Sequence, residues 1–157
     1  MSGALDSLYQ QLILEHSKRR VGEGSLDHAD ASHHELNPSC GDEITVEVRL
    51  HDGRIAALAW QGAGCSISMA SASVLSELAA EESLEEFTRQ LDAFRAMLQS
   101  RGAGTPDEAV LGDGIAFHGV SKYIMRVKCA MLAWIALDAA TKKALAVHGT
   151  DSGSTNA

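Results

Sequence analysis

The chain has 157 residues, of which 45% are hydrophobic and only 4% aromatic, and a formal net charge of −8. That length suits one domain with a largely aliphatic core. The negative balance argues against a nucleic-acid binder, which presents a basic patch, and no apolar run approaches the roughly 20 residues of a membrane span.

The first residues, Met1-Ser2-Gly3-Ala4-Leu5-Asp6, lack the basic start and apolar block of a secretory signal, so a cytoplasmic location is expected. Structural disulfides are rare there, and three cysteines pair badly in any case. Free thiols, a metal or sulfur chemistry remain.

Residues 5–20 read as a helix, with Leu8, Leu12 and Ile13 on one side and Lys18-Arg19-Arg20 at the positive end. A polar linker over residues 21–31 contains Gly22 and Gly24. It leads to His33-His34-Glu35-Leu36-Asn37, a short strand that Pro38 ends. Asn37-Pro38-Ser39-Cys40-Gly41-Asp42 forms a tight loop, in which Cys40 and Asp42 can point into one concavity. Ile44, Val46, Val48 and Leu50 then alternate with Thr45, Glu47 and Arg49, the pattern of a half-buried strand. Asp52-Gly53 predicts a hairpin turn, and residues 55–60 a return strand. A hairpin carries its start and its end to the same edge. Cys40 precedes the outgoing strand and Cys65 follows the returning one, so the two thiols are brought together.

Gly62-Ala63-Gly64 runs into Cys65, which opens a helix extending to about Ala80. Ile67, Val74, Leu75 and Leu78 form its expected stripe, while Ser68, Ala70, Ser71, Ala72 and Ser73 keep it slim. A thiol at a helix N-terminus is favoured as thiolate. Ser83 with Glu86 is a capping box for the next helix, whose stripe is Leu84, Phe87, Leu91, Phe94 and Leu98. Thr105-Pro106-Asp107-Glu108 restarts a short helix with proline in its first turn. Residues 111–119 are broken up by Gly112, Gly114 and Gly119. The last helix covers about residues 123–145, with Ile124, Val127, Met131, Ile135 and Leu137 among its apolar positions and Cys129 beside them. Residues 1–146 make a single domain, and the Gly/Ser/Thr-rich residues 147–157 are expected to form a disordered tail.

Cys40, Asp42, Cys65 and Cys129 would supply three sulfurs and one oxygen, a donor set that suits four-coordinate zinc. The alternative is three scattered, buried thiols, the ordinary role for a cysteine such as Cys129 on a helix. There is no C-x-x-C motif. His28, His33 and His34 read as solvated, with a spare ligand as the alternative. Arg126 lies one helical turn before Cys129 and can share its side of the helix. Lys128 points to another side and is expected in solvent.

Four segments then become familiar: Asn37-Pro38-Ser39-Cys40-Gly41-Asp42, Gly62 to Ser73, Gly119-Val120-Ser121-Lys122-Tyr123, and Arg126-Val127-Lys128-Cys129-Ala130. Across roughly residues 5–145 the chain resembles the SufU branch of the SufU/IscU (NifU N-terminal-like) iron–sulfur cluster assembly family. The resemblance implies an α+β fold, a small antiparallel β-sheet with helices packed on one face. It also implies that Cys40, Asp42, Cys65 and Cys129 hold one zinc ion. IscU-type members are scaffolds for an iron–sulfur cluster and usually carry a histidine just before the third cysteine, where this chain has Lys128. SufU-type members have an extra segment between the second and third cysteines, which residues 81–104 match. They resemble zinc-dependent sulfurtransferases that take persulfide sulfur from a PLP-dependent cysteine desulfurase, SufS. Where such relatives often have a proline, this chain has Ile124, and residues 15–20 also lack a proline that relatives tend to carry.

The expected function is therefore a zinc-dependent sulfurtransferase partnered by a cysteine desulfurase and other iron–sulfur assembly proteins. Cys40, on a loop, is the expected sulfur acceptor, and Cys65 and Cys129, held by helices, are anchors. Arg126 is expected to pair with the freed thiolate. A cluster-building scaffold on the same cysteines and a non-catalytic zinc-stapled adaptor are the alternatives.

Overall fold

The structure is a computed structural model that describes the backbone of residues 2–156 and the side chains of residues 3–148. In chain order it contains α1 (Ser2–Arg19), β1 (Ala31–Asn37), β2 (Asp42–His51), β3 (Arg54–Ala63), α2 (Ser66–Ala79), α3 (Leu84–Gln99), α4 (Glu108–Leu111), a 3₁₀ segment (Gly112–Lys122) and α5 (Ile124–Asn156). The three strands form one antiparallel sheet in the order β1-β2-β3. Its inner face is Ile44, Val46, Val48 and Leu50, as the alternation predicts, and these residues join α2, α3 and α5 in one core. The α+β expectation is met. The tail expected over residues 147–157 falls mostly on positions whose side chains lie outside those described. Among the described residues no helix is long and apolar enough to cross a membrane.

Asp52 and Gly53 both have positive φ, 50° and 73°, the backbone of a two-residue turn that follows the natural twist of a hairpin. A register shift between Arg49 and Leu50 breaks the strict alternation in β3. The linker after α1 is not loose. Trp60 donates its backbone N–H to Gly22 O at 3.0 Å, and Gly24 donates to Trp60 O at 2.9 Å. The linker thus lies along β3 and occupies hydrogen-bonding groups that a free edge would leave open. Gly22 has φ +84°, and a Cβ there would stand 2.3 Å from Ser76 Oγ, so both backbone and space call for glycine.

α2 is the central helix. It lies between α1 and α5, and Ser68 to Ser76 are all buried, so its burial runs right round rather than along one stripe. The run of serines and alanines is what lets α5 approach. Ser71 donates to Ala130 O at 2.6 Å and accepts from Trp134 Nε1 at 3.0 Å, tying the two helices at their contact. Behind them, Phe94 stacks on Trp134 at 4.2 Å and meets Phe117 edge-on at 5.7 Å.

Three local expectations need correction. Pro106 precedes the cap of α4, Asp107, whose Oδ1 accepts from Ala109 N at 3.0 Å, so the proline lies outside the helix. The glycine-broken residues after Leu111 form the 3₁₀ segment, whose tighter turn suits small residues. On α5, Ile124 and Ile135 are 58% and 40% exposed, because both border grooves rather than the core.

His16 is the polar pin of the core. It is 1% exposed, with Nδ1 2.9 Å from Ser73 Oγ and Nε2 3.0 Å from Asp113 Oδ2, so one ring joins α1, α2 and the 3₁₀ segment. Glu77 Oε1 lies 3.5 Å from Nε2, but Glu77 also pairs with Arg19. Ser73 Oγ accepts Val21 N–H at 3.0 Å, leaving its own proton for the imidazole. His16→Ala leaves these partners unmatched and a cavity behind, and is expected to lower stability by about 3 kcal/mol. Urea unfolding followed by circular dichroism measures it; a loss well below 1 kcal/mol would deny the pin its role.

Candidate metal centre

The centre is built where the start of the hairpin, its end and α5 meet. Register pairs Asn37 with Asp42 across the first turn and Glu43 with Ala63 across the second, so Cys40 and Cys65 leave the sheet at one edge. The Cys40 loop is held by Asn37. Its Oδ1 accepts Ser39 N–H at 3.1 Å, and its carbonyl accepts from Cys40 N at 3.3 Å and Gly41 N at 2.8 Å. Cys65 is the N-cap of α2, with extended φ and ψ. Cys129 comes from α5, where it is 2% exposed, and its Sγ lies 3.7 Å from Cys40 Sγ.

Donor atoms of Cys40, Asp42 and Cys129 all lie within 4.8 Å of one another. Cys65 is not part of that mutual set, but it flanks it: its backbone N–H donates to Asp42 Oδ1 at 3.3 Å, and its Sγ lies 3.7 Å from Ser68 Oγ. The structure therefore converges three of the four expected ligands fully and places the fourth beside them. Cys40 is exposed, Cys65 half-buried and Cys129 buried.

Asp42 is fixed from several sides. It is 5% exposed, and Ser68, itself 1% exposed, donates to its Oδ2 at 2.5 Å. Burial pushes its carboxyl up, but hydrogen bonds from Ser68 and from Cys65, Cys40 and Cys129 outweigh this and hold it below the usual carboxylate range. The carboxylate is thus ionised and aimed at the sulfurs. Ser68 escaped the sequence reading; the signal was its place in the first turn of the helix that Cys65 caps, from which a hydroxyl reaches back to the cap.

The glycine turn has a steric cause. A Cβ on Gly62 would stand 2.5 Å from the backbone oxygen of Glu43, and one on Gly64 would stand 2.7 Å from Asp42 Cγ. Neither residue has positive φ, so both are small for space: Gly62 lets β3 lie against the β2 backbone, and Gly64 lets the chain close on Asp42.

The Cys129 thiol is pushed up to about 12, first by burial and then by the neighbouring Cys40 and Cys65. Thiols packed this closely cannot all ionise without a cation among them. A divalent ion fits the donor set, three thiols and an already ionised carboxylate, and would supply that charge. Because the free Cys129 thiol stays protonated throughout the neutral range, loading must displace a proton. Zinc affinity is accordingly expected to rise with pH between about 6 and 8, with more than one proton released per ion, measured by calorimetry in buffers of different ionisation enthalpy.

Arg126 makes no described contact with the sulfurs. Its side chain is exposed and lines a groove of about 970 Å³ with Tyr9, Ile67 and Tyr123, and no described hydrogen bond or ion pair holds its guanidinium. α5 begins at Ile124 without a proline, and Tyr123 caps it by accepting from Arg126 N at 2.9 Å. Lys128 is exposed, as expected, and borders a second groove. His33 Nε2 is bound to Glu35 at 2.8 Å and its Nδ1 accepts from Lys143, while His34 faces Glu43; neither offers a spare ligand.

The family model described as the NifU-like N-terminal domain matches residues 8–130. The chain is 38% identical over 148 residues to a Streptococcus pyogenes protein named iron–sulfur cluster assembly scaffold protein IscU, covering 94% of this chain and 91% of that one. It is 37% identical over 140 residues to the Bacillus subtilis zinc-dependent sulfurtransferase SufU, covering 88% and 92%. In three dimensions it is similar to a nitrogen-fixing NifU-like protein (N-terminal) from Brucella abortus, with a TM-score of 0.81 at 25% identity over 89% of this chain and 96% of that one. The sheet, the cysteine-bearing hairpin and the full-length matches lead to one conclusion: this chain belongs to the NifU-like N-terminal domain family.

Proposed function

We propose that the protein serves iron–sulfur cluster assembly as a zinc-dependent sulfurtransferase, accepting persulfide sulfur from a PLP-dependent cysteine desulfurase. The observation that carries this is the asymmetry of the thiols: Cys40 is exposed on a loop, while Cys129 is buried and Cys65 caps a helix. Cys40, Asp42, Cys65 and Cys129 would be the ligands. Bound zinc would keep the sulfurs as thiolates and shield them from oxidation.

The chain's own residues then divide the work. Cys65 and Cys129 stay fixed by their helices, and Asp42 by Ser68. Cys40, the exposed ligand on its loop, is the one that docking of the partner would release. Its thiolate attacks the outer sulfur of the partner's cysteine persulfide; a new S–S bond forms on Cys40, the partner's S–S bond breaks, and the partner's thiolate leaves and takes up a proton. Arg126, exposed one turn from Cys129, is the cation that would face the transferred sulfur. The desulfurase docks over the larger groove, where Tyr123, Ile124 and Met125 are 63%, 58% and 55% exposed beside the centre.

Elemental analysis of protein purified without added metal tests the ligand set: about one zinc per chain is expected, and none would return the cysteines to plain free thiols. The scaffold reading is favoured by the relative named for it. Anaerobic addition of iron and sulfide separates the two. A stable cluster that passes to an apo-protein supports the scaffold, and zinc that resists replacement supports the transferase.

A further inference from the structure

Two of the three thiols stand in contact. Cys40 Sγ lies 3.7 Å from Cys129 Sγ, nearer than the 4.0 Å that separates it from Asn37 O. No such sulfur contact is described for Cys65, whose Sγ sits 3.7 Å from Ser68 Oγ and lies outside the mutual donor set. A disulfide bond is about 2.05 Å long, so the 3.7 Å gap between Cys40 and Cys129 must close by under about 2 Å. The Cys40 loop can supply that motion. Gly41 has open space around it at φ +78°, and Cys40 N reaches Asn37 O only at a long 3.3 Å.

The two thiols also differ in access. Cys40 is exposed, so a small oxidant reaches it directly. Cys129 is 2% exposed and meets only what its neighbours bring to it. An accessible thiol in contact with a sheltered one is the arrangement of an attacked cysteine and its resolving partner. Cys65, half-buried at the cap of α2, is left out of the pair.

We infer that Cys40 and Cys129 form a reversible disulfide when the metal ion is withdrawn and a peroxide is present, and that this bond switches the centre off. The Cys40 sulfur attacks one peroxide oxygen. The O–O bond breaks, one water leaves, and Cys40 becomes a sulfenic acid. The Cys129 sulfur then attacks Cys40 Sγ. The S–O bond breaks, and hydroxide leaves as water with the Cys129 proton. Two thiols are oxidised, and one peroxide is reduced to two waters. A dithiol reductant reverses the bond by exchange. The disulfide removes two of the four proposed zinc ligands and staples the Cys40 loop to α5. Its regulatory meaning rests on the sulfurtransferase reading: the acceptor sulfur is blocked, yet held short of the irreversible sulfur acids.

The test starts from the zinc-loaded full chain and adds hydrogen peroxide with or without a zinc chelator. With chelator, intact mass should fall by two hydrogens, peptide mapping should join Cys40 to Cys129, and Cys65 should remain the single thiol open to alkylation. Zinc left in place should slow the reaction at least about tenfold, and dithiothreitol should restore all three thiols and zinc binding. Cys65→Ser should form the same bond within about twofold of the unmodified rate, whereas Cys129→Ser should run on to a sulfinic acid at Cys40. A Cys40–Cys65 link, a mixture of pairings, a sulfinic acid on Cys40 of the unmodified chain, or three thiols still open to alkylation would each overturn the switch. Persulfide-loaded desulfurase separates the two readings. The oxidised chain should take no sulfur until dithiothreitol is added and removed. A Cys40–Cys129 bond in a chain whose reduced form never acquires sulfur at Cys40 would sustain the disulfide and overturn the sulfurtransferase reading alone.

Discussion

A Cys40→Ala variant mixed with persulfide-loaded cysteine desulfurase is expected to acquire no sulfur, a loss of at least about 10³-fold in transfer. Cys40 is the exposed member of the three thiols, and it sits between Asn37 and Gly41 on a turn that backbone hydrogen bonds shape. Gly41 has φ +78° with open space around it, so the loop can present its sulfur without moving a strand. Cys65 and Cys129 lack that freedom. Moving Cys65 would unseat the cap of α2, and moving Cys129 would pull α5 off the sheet. Gel-resolved transfer of radiolabelled sulfur reads the result. Cys40→Ala should keep its fold and retain a weakened zinc site on Asp42, Cys65 and Cys129. Normal transfer to that variant would remove Cys40 from the acceptor role and pass it to Cys65.

Gly64→Ala is expected to lower zinc affinity by about 100-fold while leaving the fold in place. The added methyl would stand 2.7 Å from Asp42 Cγ and 3.0 Å from both Cβ and Oδ1. Asp42 has little room to retreat, being 5% exposed and tied to Ser68 and Cys65 N–H. The carboxylate must swing away from the sulfurs, and the ion would lose its one oxygen donor. Gly64 does not have positive φ, so backbone strain contributes little and the effect is steric. Competition against a chromophoric chelator gives the affinity, and thermal unfolding of the metal-free protein checks the fold. An unchanged affinity would show that Asp42 is dispensable to the ion.

Much of the scaffold was legible along the chain because its signals are local. The alternation from Ile44 to Leu50 defines a half-buried strand, Asp52-Gly53 closes the hairpin, and the two together carry Cys40 and Cys65 to one edge. Ser83 capping α3 through Glu86 N–H at 3.0 Å is equally local. Less regular stretches resisted. The 3₁₀ segment after Leu111 has no apolar period to read, and α2 defied a stripe assignment because neighbours surround it.

The donor types, the hairpin that pairs Cys40 with Cys65, and the glycine turn that opens α2 can all be read along the chain. The folded arrangement is what brings Cys129, 89 residues from Cys40, to 3.7 Å and closes the group, because that depends on how α5 crosses the sheet. It also decided that Ser68 orients Asp42, that Cys65 stands slightly apart, and that Arg126 and Lys128 face different grooves. The physical reason is the range of the information. Turns and periodicity are written in neighbouring residues, whereas the convergence of side chains from separate elements is fixed by how closely small residues on α2 let those elements pack.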